Sequence, residues 1–86
     1  MAHDVQAPLR WQDYISFDRD ILGGKPAIKG TRLGVQFILQ RLVDGWSMQD
    51  LLEAYPGLTE EQVRACIDYA LDGLESEQIL DFPRRP

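Results

Sequence analysis

Between Val35 and Leu74 apolar side chains return at helical spacing, and two short interruptions cut the pattern into three pieces. Val35, Ile38, Leu39, Leu42, Val43 and Trp46 obey the i, i+3, i+4, i+7 rule and predict a first amphipathic helix, with Gly45 placed to stop it. Ser47, followed three residues on by Asp50, is an N-capping pattern for a second helix whose apolar face is Met48, Leu51, Leu52 and Tyr55 and whose end is Pro56-Gly57. Thr59 and Gln62 open a third, longer helix, with Leu58 and Val63 set to pack across its start. Val63, Cys66, Ile67, Ala70, Leu71 and Leu74 read as its apolar face, and it runs to Gly73 or toward Leu80. Three short helices, each with one oily side, are stable only if those sides meet, so a mainly α, trihelical core is expected.

A short β-forming run, Tyr14 to Phe17, precedes the helices, and an extended pattern follows from Pro26 to Leu33. Asp18-Arg19-Asp20 and Gly23-Gly24 lie between them, so the two runs predict an N-terminal β-hairpin with a long loop. Pro26 has no N–H for a ladder and belongs at a strand start or edge, and Gly30 marks a bulge or a close backbone approach. Residues 1–10 have no periodicity and read as a flexible tail, residues 11–74 as the helix-turn-helix domain with its hairpin, and residues 75–86 as a C-terminal tail.

The longest stretch nearly free of charge, Leu33 to Gln40, is far shorter than a membrane-spanning helix requires, and the N-terminus has neither the basic start nor the apolar run of a signal peptide. A cytoplasmic protein with no membrane partner is expected. Cys66 is the only cysteine, so no internal disulfide can form.

The net charge of −5 hides an asymmetry. Residues 10–45 hold six basic against four acidic side chains, whereas residues 46–86 hold three basic against nine acidic ones. Any surface that faces a polyanion must therefore lie in the first half, because phosphate neutralisation by Lys and Arg supplies most sequence-independent nucleic-acid affinity. Lys25, Lys29 and Arg32, with the Thr31 hydroxyl among them, are the candidate nucleic-acid contacts. A short helix, a glycine-bearing turn and a longer helix also match the helix-turn-helix pattern, although an ordinary three-helix bundle fits the same residues. The predicted exposed face of the third helix, with Glu60, Glu61, Asp68 and Asp72 against Arg64, would repel a phosphate backbone.

No catalytic set assembles from these residues. His3 is the sole histidine and lies in the tail, which excludes a His-dependent catalytic pair and the usual zinc ligand sets, so neither metal nor cofactor is expected. Cys66 falls on the apolar stripe of the third helix, where a thiol serves as a small core residue. Lys29-Gly30-Thr31 has the wrong residue order for a phosphate-binding P-loop. Trp11 and Trp46 read as core anchors, with an interface role for Trp11 as the alternative. In the C-terminal tail Ile79, Leu80 and Phe82 alternate with acids and form a candidate partner-binding segment, against the plainer reading of a frayed helix end.

The run Gly23-Gly24-Lys25-Pro26-Ala27-Ile28-Lys29-Gly30-Thr31-Arg32-Leu33, followed by Gly45, Ser47, Tyr55-Pro56, Leu58-Thr59 and Val63, resembles the domain of unknown function 433 (DUF433) family over about residues 11–74. The resemblance implies a winged-helix-like or homeodomain-like trihelical domain entered by a β-hairpin. It marks Gly24, Lys25, Pro26, Ile28, Lys29, Gly30, Thr31 and Arg32 and brings no catalytic role with them. Family members are often described as VapB-type antitoxins encoded beside a PIN-like ribonuclease toxin. By that likeness the chain would silence a toxin protein by binding it and repress its own operon through operator DNA. A homodimer paired at the hairpin edges is expected on a separate ground, because an exposed short edge strand invites pairing. A stand-alone helix-turn-helix transcription regulator and a protein-only interaction domain are the alternatives.

Overall fold

The computed structural model describes residues 8–76, so Ile79, Leu80 and Phe82 lie outside the described residues. The chain opens with a 3-10 turn at Trp11–Asp13 and two short antiparallel strands, β1 (Ile15–Ser16) and β2 (Ala27–Ile28), with Ile15 opposite Ile28 and Ser16 opposite Ala27. Three helices follow: α1 (Val35–Val43), α2 (Met48–Ala54) and α3 (Glu60–Ser76). The trihelical, hairpin-led architecture expected from the periodicity is therefore present.

The ribbon is shorter than the runs Tyr14 to Phe17 and Pro26 to Leu33. After Ile28 the chain does not stay extended but doubles back: Gly30 adopts φ +78°, Thr31 N donates to Ile28 O at 3.0 Å, and Ile28 N donates to Leu33 O at 2.9 Å. Gly34 then pairs with Ala27, so Lys29, Gly30, Thr31 and Arg32 form a tight turn between two extended pieces. A left-handed residue at Gly30 is what permits the reversal, because only glycine adopts it without a Cβ clash. The connection from β1 to β2 contains a second 3-10 turn, Leu22–Gly24, in which Leu22 itself has φ +54°.

The ribbon also starts the first helix. Gly34 has no side chain to cap α1, and the Pro26 carbonyl accepts from Val35 N at 3.0 Å instead. At the other end Gly45 (φ +101°) donates to Leu42 O at 3.0 Å and Trp46 N donates to Arg41 O at 3.0 Å, the paired closure of a Schellman motif. Ser47 and Asp50 form a reciprocal capping box on α2, and Thr59 and Gln62 do the same for α3 at 3.1 and 2.9 Å.

Ile15 and Ile28 from the ribbon, Val35 and Ile38 from α1, Leu51 from α2, and Val63 and Cys66 from α3 form one buried core. Each large aliphatic side chain buried there contributes about 1.5–3 kcal/mol relative to exposure. α3 departs from its expected burial. Ile67, Leu71 and Leu74 face outward, 44%, 49% and 50% exposed, while Ala65, Asp68 and Tyr69 are covered or partly covered. The reason is the N-terminal segment, which lies along a second side of the helix. Trp11 N donates to Asp68 Oδ2 at 3.3 Å, its indole Nε1 donates to Asp72 Oδ2 at 2.8 Å, and its ring meets Tyr69 edge-on at 4.9 Å. That contact turns the buried arc of α3 away from the residues that its hydrophobicity favours.

Candidate functional site

The turn between Ile28 and Leu33 and the first half of α1 enclose a groove of about 920 Å³. Leu22, Pro26, Leu33 and Phe37 supply its apolar lining, and Lys25, Arg32 and Arg41 supply cationic groups around it. Two of the three marked basic residues, Lys25 before β2 and Arg32 on the turn after it, thus converge on one concavity. Lys29 does not line it; that side chain is exposed on the same turn, and its backbone N donates to Tyr14 O at 2.8 Å.

Thr31 is placed differently. Its hydroxyl donates to Ile28 O at 2.9 Å and accepts from Leu33 N at 2.9 Å, so it braces the turn that presents Arg32. The glycines work in the same service: a Cβ on Gly34 would stand 3.0 Å from Leu22 Cδ1, at the base of the groove. Leu22 holds its apolar side chain there from a left-handed backbone conformation that costs roughly 1–2 kcal/mol for a residue with a Cβ. Strain of that kind persists where the surroundings dictate it, commonly at binding sites.

Phe37 and Arg41 line the candidate site and were not singled out by sequence reasoning. They are one helical turn apart on α1, and the Arg41 guanidinium lies over the Phe37 ring at 5.1 Å and the Trp46 ring at 5.6 Å. Tyr55 meets Phe37 edge-on at 5.6 Å and stacks on Trp46 at 6.3 Å, which fixes this wall against α2. Arg41 is partly neutralised by Asp44 at 2.9 Å, and Gln40 Nε2 donates to the other oxygen of that carboxylate at 2.9 Å. Its Nε is buried without a hydrogen-bond partner. Lys25 and Arg32 make no salt bridge among the described residues, so their charge is the uncompensated part of the rim, and Lys29 on the adjoining turn makes none among them either. The sequence signal for Phe37 was available: it is a large aromatic that falls off the apolar stripe of its own helix.

Chemically the arrangement can bind but offers no reacting group at the groove. The Cys66 thiol is in the core, where burial pushes it up to about 12. Among the described residues no group of three or more His, Cys, Asp or Glu could hold a metal ion, and no helix is long and apolar enough to cross a membrane.

Residues 15–70 match the family model described as protein of unknown function (DUF433). The chain is 36% identical over 59 residues to the uncharacterized protein y4eO of Sinorhizobium fredii, covering 69% of this chain but 27% of that protein. It is also similar to the crystal structure of a DUF433 member protein from Anabaena variabilis, with a TM-score of 0.69 and 31% identity, over 74% of this chain and 63% of that one. The chain thus spans about a quarter of the curated relative and under two thirds of the solved one.

Proposed function

The chain belongs to the DUF433 family, and from that premise we propose that it acts by stoichiometric binding, as the antitoxin of a toxin-antitoxin pair that silences a PIN-like ribonuclease. The observation that supports this reading is the apolar groove with Lys25 and Arg32 at its rim. A phosphate backbone alone has no use for an aromatic and aliphatic lining, whereas a protein segment bearing a carboxylate next to an apolar anchor satisfies both parts of it. The partner surface that fits is therefore an acidic, partly apolar segment of the toxin. The buried thiol and the absence of a reacting group at the groove favour binding over catalysis. The reading requires a cytoplasmic chain, where both ribonuclease and operator are found.

The test is to look for a PIN-like ribonuclease encoded beside this gene and to titrate its RNA cleavage with the purified chain. Cleavage is expected to stop near equimolar ratio, and an R32E/F37E double variant of unchanged helicity is expected to lose the inhibition. Full cleavage at a large excess of the wild-type chain, or a genomic neighbourhood without such a ribonuclease, overturns the reading.

A second reading, operator binding by the ribbon, is favoured by one observation: Lys25, Lys29 and Arg32 are exposed within one eight-residue span and make no salt bridge among the described residues. Such contacts impose a steep salt dependence, with log affinity falling by about 0.9 per neutralised phosphate per log unit of salt. K29E/R32E should abolish a mobility shift on the upstream DNA. A shift retained by that variant removes the ribbon as the DNA contact.

A further inference from the structure

We infer that the outward face of α3 is a self-association surface, on which a second copy of this chain packs its own α3 in antiparallel orientation. This inference is independent of the partner reading above, because it uses a different element from the groove.

The seam is defined by spacing and exposure together. Glu60, Arg64, Ile67, Leu71 and Leu74 follow one another at intervals of four, three, four and three, the alternation that keeps a stripe facing a neighbouring helix. Its three apolar members are each about half exposed, on the side of α3 turned away from both the core and the Trp11 segment. A helix-turn-helix reading would give this same face to a DNA groove. Aliphatic side chains flanked by Glu60, Glu61 and Glu75 oppose that use, and they equally oppose an anionic membrane.

Charge selects both the occupant and its direction. Two parallel copies would set Glu60 on Glu60, Arg64 on Arg64 and Glu75 on Glu75 across the seam, each a like-charge contact. In the antiparallel register that stacks Ile67 on the partner's Leu71, Arg64 falls opposite the partner's Leu74 and beside the partner's Glu75, and the two-fold axis repeats the pairing. Arg64 is available for it, since its contact with Glu60 is a loose 3.9 Å with both side chains exposed. Asp68 and Asp72 do not intrude, because both are held on the flank by Trp11. A seam of three aliphatic layers is small, so the association belongs to the weak, concentration-dependent class.

Sedimentation equilibrium of the full chain, from micromolar to near-millimolar concentration, reads the result as a rise from the 9.8 kDa monomer mass toward twice that value. L71R is expected to remain monomeric over the whole range with unchanged helicity, because Leu71 is exposed in the single chain. R64E is expected to weaken association severalfold, and R64E/E75R to recover it, since the swap rebuilds the same pair with its signs exchanged. A wild-type chain that stays monomeric, an L71R variant that still dimerises, or a double swap weaker than R64E alone each overturns the proposal.

Discussion

Cys66 has no partner but hydrocarbon, and burial pushes its thiol from 9.0 up to about 12. Below the ordinary thiol value both folded and unfolded chains keep the proton, and the full stability is present. Above it the unfolded chain ionises while the folded one does not, so stability falls as pH climbs from about 9 toward 12. Urea titrations across that window should show the wild type losing more stability than C66A, and parallel slopes for the two proteins would refute the assignment. Thr31 is the second instructive residue. Sequence reasoning grouped it with the basic residues as a nucleic-acid contact, and the structure places its hydroxyl between Ile28 O and Leu33 N. T31V should cost about 1 kcal/mol of unfolding free energy, since it strands the Leu33 amide while conserving volume, the Ile28 carbonyl keeping its bond from Thr31 N. Side-chain type alone showed that Thr31 could hydrogen-bond; which atoms it would reach depended on the turn at Gly30, which a pattern of extended residues does not reveal.

At the scale of the element the caps were the most legible feature, because each is a local bargain between a side chain and amides three residues away. Ser47 and Thr59 start helices where their spacing to Asp50 and Gln62 says they should. S47A and T59A should each cost about 1 kcal/mol, and their double variant should show the sum, as the two caps share no contacts. Strand lengths were poorly legible, since two-residue strands are set by where Gly30 bends the chain and not by β-propensity. The burial of α3 was misread for a different reason. A single helical stripe describes a helix that packs on one side, whereas α3 is covered on two, by the core and by Trp11. W11A should uncover Tyr69 and cost about 2 kcal/mol, while W11F, which keeps an aromatic ring and loses the 2.8 Å bond to Asp72, should cost less than half of that. Equal losses for the two variants would mean that the hydrogen bond, not the ring, holds the segment.

For the molecule as a whole, the division of oil gave the three-helix core but not the outward turn of Ile67, Leu71 and Leu74, and the division of charge coincides with where the cations of the groove lie. The basic first half does form the ribbon and groove rim, with Lys25 and Arg32 brought to one concavity and Arg41 added from α1. The candidate site was therefore half visible: its cations were countable, but its apolar lining required knowing that the ribbon folds back beside Phe37. The core itself is small and shared by every element, with Ile38 and Leu51 fully buried at its centre. I38A or L51A should cost about 2–5 kcal/mol, a large share of the stability of a domain this size, and both should unfold at much lower denaturant with an unchanged transition slope.

The clasp between Trp11 and Asp72 joins residues 61 positions apart. The ribbon precedes α3 in the chain yet leans on it, because its strands are two residues long and Trp11 packs against Tyr69. A chain halted short of Asp72 would keep the core residues up to Cys66 but leave the Trp11 indole N–H without its carboxylate, so the N-terminal segment would be held to α3 by fewer contacts.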